Sequence, residues 1–312
     1  KKKLKVYPTP EAYLSNVREG AGSHFSGNAM YKGDNRPYGA AVTFSLAELR
    51  AKDGKTPESD SVKVEIVNEQ GRTVRKLNLM ASKGMNRFYW DLTNDGLRMP
   101  VQPKPKTEVQ APPGAYVIAG NYKVRIKYGT EADSAMVKVS NDPRKQVDAA
   151  GVALWQAGYE EFTSTVNGVT ASMDKLRDAK DQMNAVEKMV SAQVKDTAAK
   201  KRFADAHKLA SKQVDSLMRL VTPGEEIQGI YEDPSQLMNK LMGAAFYLDP
   251  AFGTPNPPAS APPATFGWSM KKLKADAGAF NEAVKAFENK TWKQFEEVVK
   301  GLNLQLLPPL GQ

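Results

Sequence analysis

The hydrophobic period changes once along this chain, and the change falls at Asp142. Before it, apolar and polar residues alternate, and Gly, Pro and Asn punctuate the pattern. After it, apolar residues recur every three or four positions among Ala, Lys, Met and Leu. Side chains alternate faces along a strand, whereas along a helix they return to one face every three or four residues. The pattern therefore predicts an α+β chain, with a β domain followed by a helical one. At 312 residues and 41% hydrophobic content, each half has enough apolar surface for its own core.

Residues 1–38 read as an irregular arm connecting domains, because Gly, Asn and Pro recur too often for an element. Strand signals begin at "AAVTFSL". "VKVEIV" and "TVRKLNL" flank "NEQG", where Gly71 suits a positive φ, so 62–79 is a hairpin by spacing and chemistry. "GNYKVRIKYG" and "SAMVKVS" form the last hairpin, and a Pro-rich loop covers 100–114. Short strands with turns every 8–12 residues over 39–142 predict a small β-sandwich.

At "NDPRKQ" Asp142 is a good N-cap and Pro143 suits a first helical position. One apolar stripe then runs Phe162, Val166, Val169, Met173, Leu176, Met183, Val186 and Val190. A second carries Phe203, Ala206, Ala210, Val214, Leu217 and Leu220, and Pro223 stops it. A short helix follows Asp233-Pro234, and the last stripe runs from Leu273 through Phe287 and Phe295 to Leu302. Four one-sided helices predict an antiparallel bundle over 143–304, with a tail at 305–312.

"NRFYWDL" raises the question of a catalytic acid. Alternation turns Phe88, Trp90 and Leu92 to one face and Asp91 to the other. A catalytic carboxylate needs a partner and a pocket to shift its pKa, and no nearby residue supplies one in sequence. The reading is a core Trp beside a surface Asp. His24 and His207 are far apart, so a His-based zinc site or a Ser-His-Asp triad is not expected. No phosphate-binding glycine loop occurs. The carboxylate pairs Glu160-Glu161, Glu225-Glu226 and Glu296-Glu297 read as solvated flanks. Catalytic, cofactor and metal residues are accordingly assigned to none. The chain has no Cys, which removes disulfides and thiolate chemistry. No apolar run approaches the ~20 residues of a membrane span. It starts "KKKLKVYPTP" without Met or a hydrophobic signal core, as expected of a mature or excised product.

The net charge of +9 is uneven: residues 1–142 hold 23 Lys/Arg against 15 Asp/Glu, the remainder 21 against 20. A basic stripe could meet nucleic acid or an anionic lipopolysaccharide. No basic run is interleaved with stacking aromatics, so nucleic acid is not the expected partner.

Read in order, "GDNRPYGAAVTFSL", "VKVEIVNEQGRTVRKL", "GMNRFYWDL", "GNYKVRIKYG" and "VSNDPR" resemble the C-terminal region of large bacterial β-propeller proteins of the sortilin/BNR-repeat type, often labelled glycosyl hydrolase. The resemblance covers about residues 24–302. It implies an Ig-like sandwich, similar to the flagellar hook-capping Ig domain, followed by a helical region. The matching residues are Gly33, Asn35, Pro37, Gly39, Gly71, Trp90, Asp91, Asp142, Pro143 and Arg144: turn, core and junction positions, none catalytic. The implied role is a non-catalytic accessory region that packs on or anchors an upstream propeller and mediates protein contact. The implied location is the periplasm, the cell surface or the secreted fraction. The alternatives are a stand-alone glycan- or protein-binding module, with Tyr116, Tyr122 and Tyr128 as candidate platform, or part of a glycoside hydrolase. Four Asp-(Ser/Thr)-apolar triplets resemble the O-glycosylation sequon of Bacteroidota envelope proteins, with Ser61, Ser134, Thr197 and Ser216 as acceptors.

Overall fold

The computed structural model describes residues 3–15, 37–50, 57–107, 109–222, 235–248 and 256–305. They fall into two units, one of residues 1–97, 107–159 and 246–262, the other of 98–106, 160–245 and 263–312. The chain is α+β, as the change of period predicts.

The first unit holds the strands. β1 (Leu4–Val6), β3 (Ala40–Leu46) and β6 (Gly84–Trp90) form a three-stranded sheet in the order β1-β3-β6. β2 (Ala12–Leu14), β4 (Ser59–Val67), β5 (Thr73–Ser82), β9 (Gly120–Tyr128) and β10 (Glu131–Asn141) form a five-stranded sheet in the order β2-β10-β9-β4-β5. β7 (Thr93–Asp95) and β8 (Pro113–Tyr116) make a short ribbon. All pairings are antiparallel except β2 with β10, which is parallel. The inward residues of both large sheets belong to one core: Val42, Phe44 and Trp90 from one, Val64, Val124 and Ile126 from the other. Burial of such side chains stabilises by about 1.5–3 kcal/mol each.

Two expectations are corrected here. The arm 1–38 is not irregular throughout. Leu4 and Val6 of β1, and Ala12 and Leu14 of β2, are buried in that core. The residues are Leu-Lys-Val and Ala-Tyr-Leu, each a single alternation, with Pro8 and Pro10 between them. Three residues are too few for periodicity to register. Asp142 and Pro143 do not open the first helix either. α1 runs Ala149–Gln193, and Asp148 accepts from the Ala150 N–H at 3.1 Å. Asp142 spends its carboxylate on Arg144 instead, and its backbone carbonyl accepts from the Lys145 N–H.

The second unit is helical. Most of α1 lies in it, with Phe162, Val166, Val169, Met173, Leu176 and Met183 buried as the stripe predicts. α2 (Thr197–Arg219) starts on Asp196, whose carboxylate accepts from the Ala198 N–H. α3 (Leu237–Ala245) is short. α4 (Ala264–Phe287) continues through a π-helical turn, Glu288–Trp292, into α5 (Lys293–Lys300). The reading of 273–302 as one regular helix is corrected at that turn. Phe287, Thr291 and Phe295 are all buried, two steps of four residues. In an α-helix each such step overshoots a full turn by about 40°. The wider π turn absorbs the excess and keeps all three inside.

Candidate functional site

The residues that carried the question of catalysis converge on a corner of the first unit. Gly39 has φ 107°, and a Cβ there would stand 2.1 Å from the Trp90 carbonyl oxygen. Ala40 is in register with Trp90. The Trp90 indole, fully buried, donates from Nε1 to the Thr93 carbonyl at 3.0 Å. Leu92 between them takes φ 58°. The Asp91 carboxylate accepts from Thr93 Oγ1 at 2.7 Å. Asp91 thus closes a tight left-handed turn, and its bonds are those of a turn residue. Trp90 meets the Tyr122 ring edge-on at 5.1 Å between centroids.

Among the described residues, the first unit's other deeply buried polar side chains are likewise each tied to a neighbour, with Arg75 Nε the one of their buried atoms left without a hydrogen bond. Arg75 points inward from β5. Its Nη1 donates to the carbonyls of Ala111 at 3.1 Å and Pro112 at 2.6 Å, and pairs with Asp95 at 3.2 Å. Burial pushes the Asp95 carboxyl up, and the Lys76 N–H and Arg75 pull against it. Asp60, 1% exposed, accepts from Tyr128 Oη and Arg50 Nε, each at 3.0 Å. Asp142 accepts from the Arg144 side chain at 2.7 and 2.9 Å and from its N–H at 3.0 Å. Those bonds, the side-chain ones first, hold its carboxyl down to about 2. In the second unit Asp174 of α1 takes a bidentate bond from Arg98, which lowers the Asp174 carboxyl. Arg177 beside it donates to the Pro100 carbonyl, so 98–102 is fastened to the helix.

Of the remaining expected positions, Gly33, Asn35, His24, Glu225 and Glu226 lie outside the described residues. Pro37 is exposed, and Gly71, at φ 78°, turns β4 into β5. Pro143 follows Asp142 in an exposed turn. The proposed tyrosine platform is corrected: Tyr122 and Tyr128 are core residues, and Tyr116 is half-buried against Tyr38. Ser61, Thr197 and Ser216 are exposed, and Ser134 is half-buried. His207 lies against the rings of Phe203 and Phe295, which also meet each other. Among the described residues no cluster of three or more acidic or imidazole side chains could hold a metal ion. Among them, too, no helix is long and apolar enough to cross a membrane.

What the sequence did not single out is the outer face of the five-stranded sheet. Alternation that buries Val62, Val64, Tyr122, Val124 and Ile126 turns their neighbours outward. Exposed there are Lys76 on β5, Lys63 on β4, Lys123, Arg125 and Lys127 on β9, and Lys138 on β10. The register sets Lys63 directly opposite Lys127, and Glu65 between Lys76 and Arg125. A cleft of about 370 Å³ opens beside this row. Its walls include Lys63, Lys76, Lys127, Asn78, Gln110 and Asp95. The segment 109–111 lines it from the β5 side, where Gln110 accepts from the Asn78 N–H at 2.9 Å. A smaller cavity, about 220 Å³, lies beside the π turn, between α1 and α4, with Trp292, Asp178 and Gln182 in its wall.

No family profile and no curated protein matches the chain. A solved structure described as pT26-6p is similar over 85% of this chain at 10% identity, with a TM-score of 0.14. The chain spans 46% of that protein's length. A likeness at this level carries no argument about fold or function.

Proposed function

We propose that this chain is the non-catalytic C-terminal accessory region of a large β-propeller protein of the sortilin/BNR-repeat type. In this reading an Ig-like sandwich is followed by a helical bundle. It works in the bacterial periplasm, on the cell surface or after secretion, where it packs on or anchors the propeller. The observation that carries the reading is the use of buried polar groups. Asp60, Arg75, Thr93 and Asp142 each bind a neighbouring strand, turn or loop. A catalytic cleft would hold such groups free to meet a substrate.

The Ig-like part of the proposal draws support from topology. In the immunoglobulin arrangement strands A, B and E share one sheet and C, F and G the other, with C′ added beside C. The orders β1-β3-β6 and β10-β9-β4-β5 correspond to A-B-E and G-F-C-C′. Tyr122, near the start of β9, donates from its hydroxyl to the Ile118 carbonyl at 2.7 Å. That is the geometry of the tyrosine corner at the start of strand F. For the helical part, α1, α2, α3 and the α4–α5 run are the four members of the proposed bundle. Ion pairs tie α1 to its neighbours, Lys180 to Asp215 and Lys274 to Glu161.

The test is the size of the native polypeptide. An antibody raised against this chain is used to blot envelope fractions of the source cell. A band several-fold heavier than 34.2 kDa is expected. A band at 34.2 kDa, with no heavier species in pulse-labelled cells, overturns the accessory reading.

A further inference from the structure

We propose that the cavity beside the π-helical turn binds a small organic cation, an ammonium group carried on an aromatic body. Its volume is about 220 Å³, and its walls come from α1, from α4 and from the π turn. Both sides interrupt their apolar series here. On α1 Ala179 stands between Leu176 and Met183, all three buried, and is the small member of the stripe. On the other side the helix widens from Glu288 to Trp292. A short side chain across from a widened turn leaves room that neither helix fills. Turns of this kind recur at functional sites.

The floor is apolar: Leu176, Ala179, Val284 and Phe287 line it, and all four are buried. A cavity of about 150 Å³ holds benzene, so the space admits a phenyl ring and a short tail. From Lys175 to Gln182 the lining follows α1 for seven residues, about 10 Å.

The rim sets the charge. Lys175 meets both Glu288 carboxylate oxygens, at 2.8 and 3.0 Å, so that pair is neutral. Asp178 and Gln182 are exposed in the wall, and among the described residues Asp178 has no ion-pair partner. Of the neighbouring charges outside the walls, Lys285 is held by Glu282 at 2.7 Å and Lys180 by Asp215 at 2.8 Å. The exposed Asp181 and Lys290 offset each other. One carboxylate is left over, and a cation is the group that matches it. Half-buried Trp292 in the wall adds to this, because an aromatic face attracts a cation within about 6 Å of its centre. An apolar floor with a few polar groups at its edge is the usual build of a small-molecule site. This inference goes beyond the accessory reading and does not need it, because binding is measured on the isolated chain whatever the native polypeptide's size.

The experiment is calorimetric titration of the full chain with phenethylammonium, phenethyl alcohol and phenylacetate, which share a body and differ in charge. Phenethylammonium is expected to saturate one site and to bind about threefold more tightly than the alcohol, the worth of an exposed ion pair. Phenylacetate is expected not to bind. D178N is expected to weaken phenethylammonium about threefold, and A179L, which fills the floor, to abolish its binding. D205N, on α2, is expected to bind as the unaltered chain does. Undiminished binding by D178N or by A179L overturns the proposal. So does phenylacetate binding as tightly as phenethylammonium, or the lack of any saturable site. If A179L loses its fold by circular dichroism, Q182K makes the same decision, since it sets a second ammonium at an exposed position of the wall and undiminished binding would again overturn the proposal.

Discussion

Gly39 and Gly71 are both held at positive φ, yet they differ in what surrounds them. A Cβ at Gly71 meets nothing within 4 Å, so Gly71→Ala carries only the cost of a left-handed residue, about 1–2 kcal/mol. A Cβ at Gly39 collides with the Trp90 carbonyl at 2.1 Å, and that carbonyl belongs to the β3–β6 pairing. Gly39→Ala is expected to cost at least about 3 kcal/mol, with strain and displaced backbone added together. Urea midpoints of the two variants check the order, and an equal loss would contradict it. Asp142 makes a prediction in pH. Its folded-state carboxyl is depressed to about 2, below the ordinary value of about 3.9. The stability it contributes is therefore present above about pH 4 and is lost as pH falls through about 2. Asp142→Asn is expected to be less stable than the parent at pH 6. The gap should close between pH 4 and pH 2 in chemical denaturation series. None of this was legible at Asp142 itself, because Asp-Pro before a helical pattern reads as a cap. The capping role fell to Asp148, which precedes Ala rather than Pro.

Elements were legible where the pattern ran long. β3, β4, β9 and β10 each repeat the alternation three times or more, and their inward residues are the core. β1 and β2 repeat it once and escaped notice. The stripe of α1 is legible because Leu, Val, Met and Phe recur along it, and that of α2 holds as far as Leu217, whereas Leu220, past the last residue of the helix, is exposed. The π turn escaped because its inward residue is Thr291, a polar side chain in an apolar series. The turn predicts its own test. Deleting Asn289 removes the extra residue and lets α4 and α5 join as a regular α-helix, in which Phe295 falls about seven residues from Phe287 and stays within about 20° of the same face. Phe295 therefore keeps its place beside Phe203 and Trp292, 5.9 Å and 5.4 Å away between centroids. The deletion is expected to leave the thermal midpoint close to the parent's, whereas Phe295→Ala, which removes a buried Phe, is expected to cost about 3–5 kcal/mol. A deletion as damaging as Phe295→Ala in the same melting series would contradict this account of the turn.

For the whole molecule, composition located the charge but not its arrangement. The excess of Lys and Arg in the first 142 residues is countable, and it reads only as a basic stripe of unspecified course. Lys63 and Lys127 are 64 positions apart, and only the pairing of β4 with β9 sets them opposite each other. The same holds for Arg75, an unremarkable member of an alternating strand until Ala111 and Pro112 close over it. Pairings between distant segments are what a single sequence conceals, since periodicity reports which face a residue takes and not who faces it. The parallel pairing of β2 with β10 has a mechanical meaning. Tension drawn from the N-terminal side meets the β1–β3 pairing first and then reaches β2 at its leading end, and tension drawn from the far side of Asn141 reaches β10 at its trailing end. Parallel strands pulled from opposite ends slide along each other. All their hydrogen bonds then bear load together instead of opening one by one. A chain that tethers one body to another would gain from such a clasp, because it resists pulling far more than its three-residue length suggests.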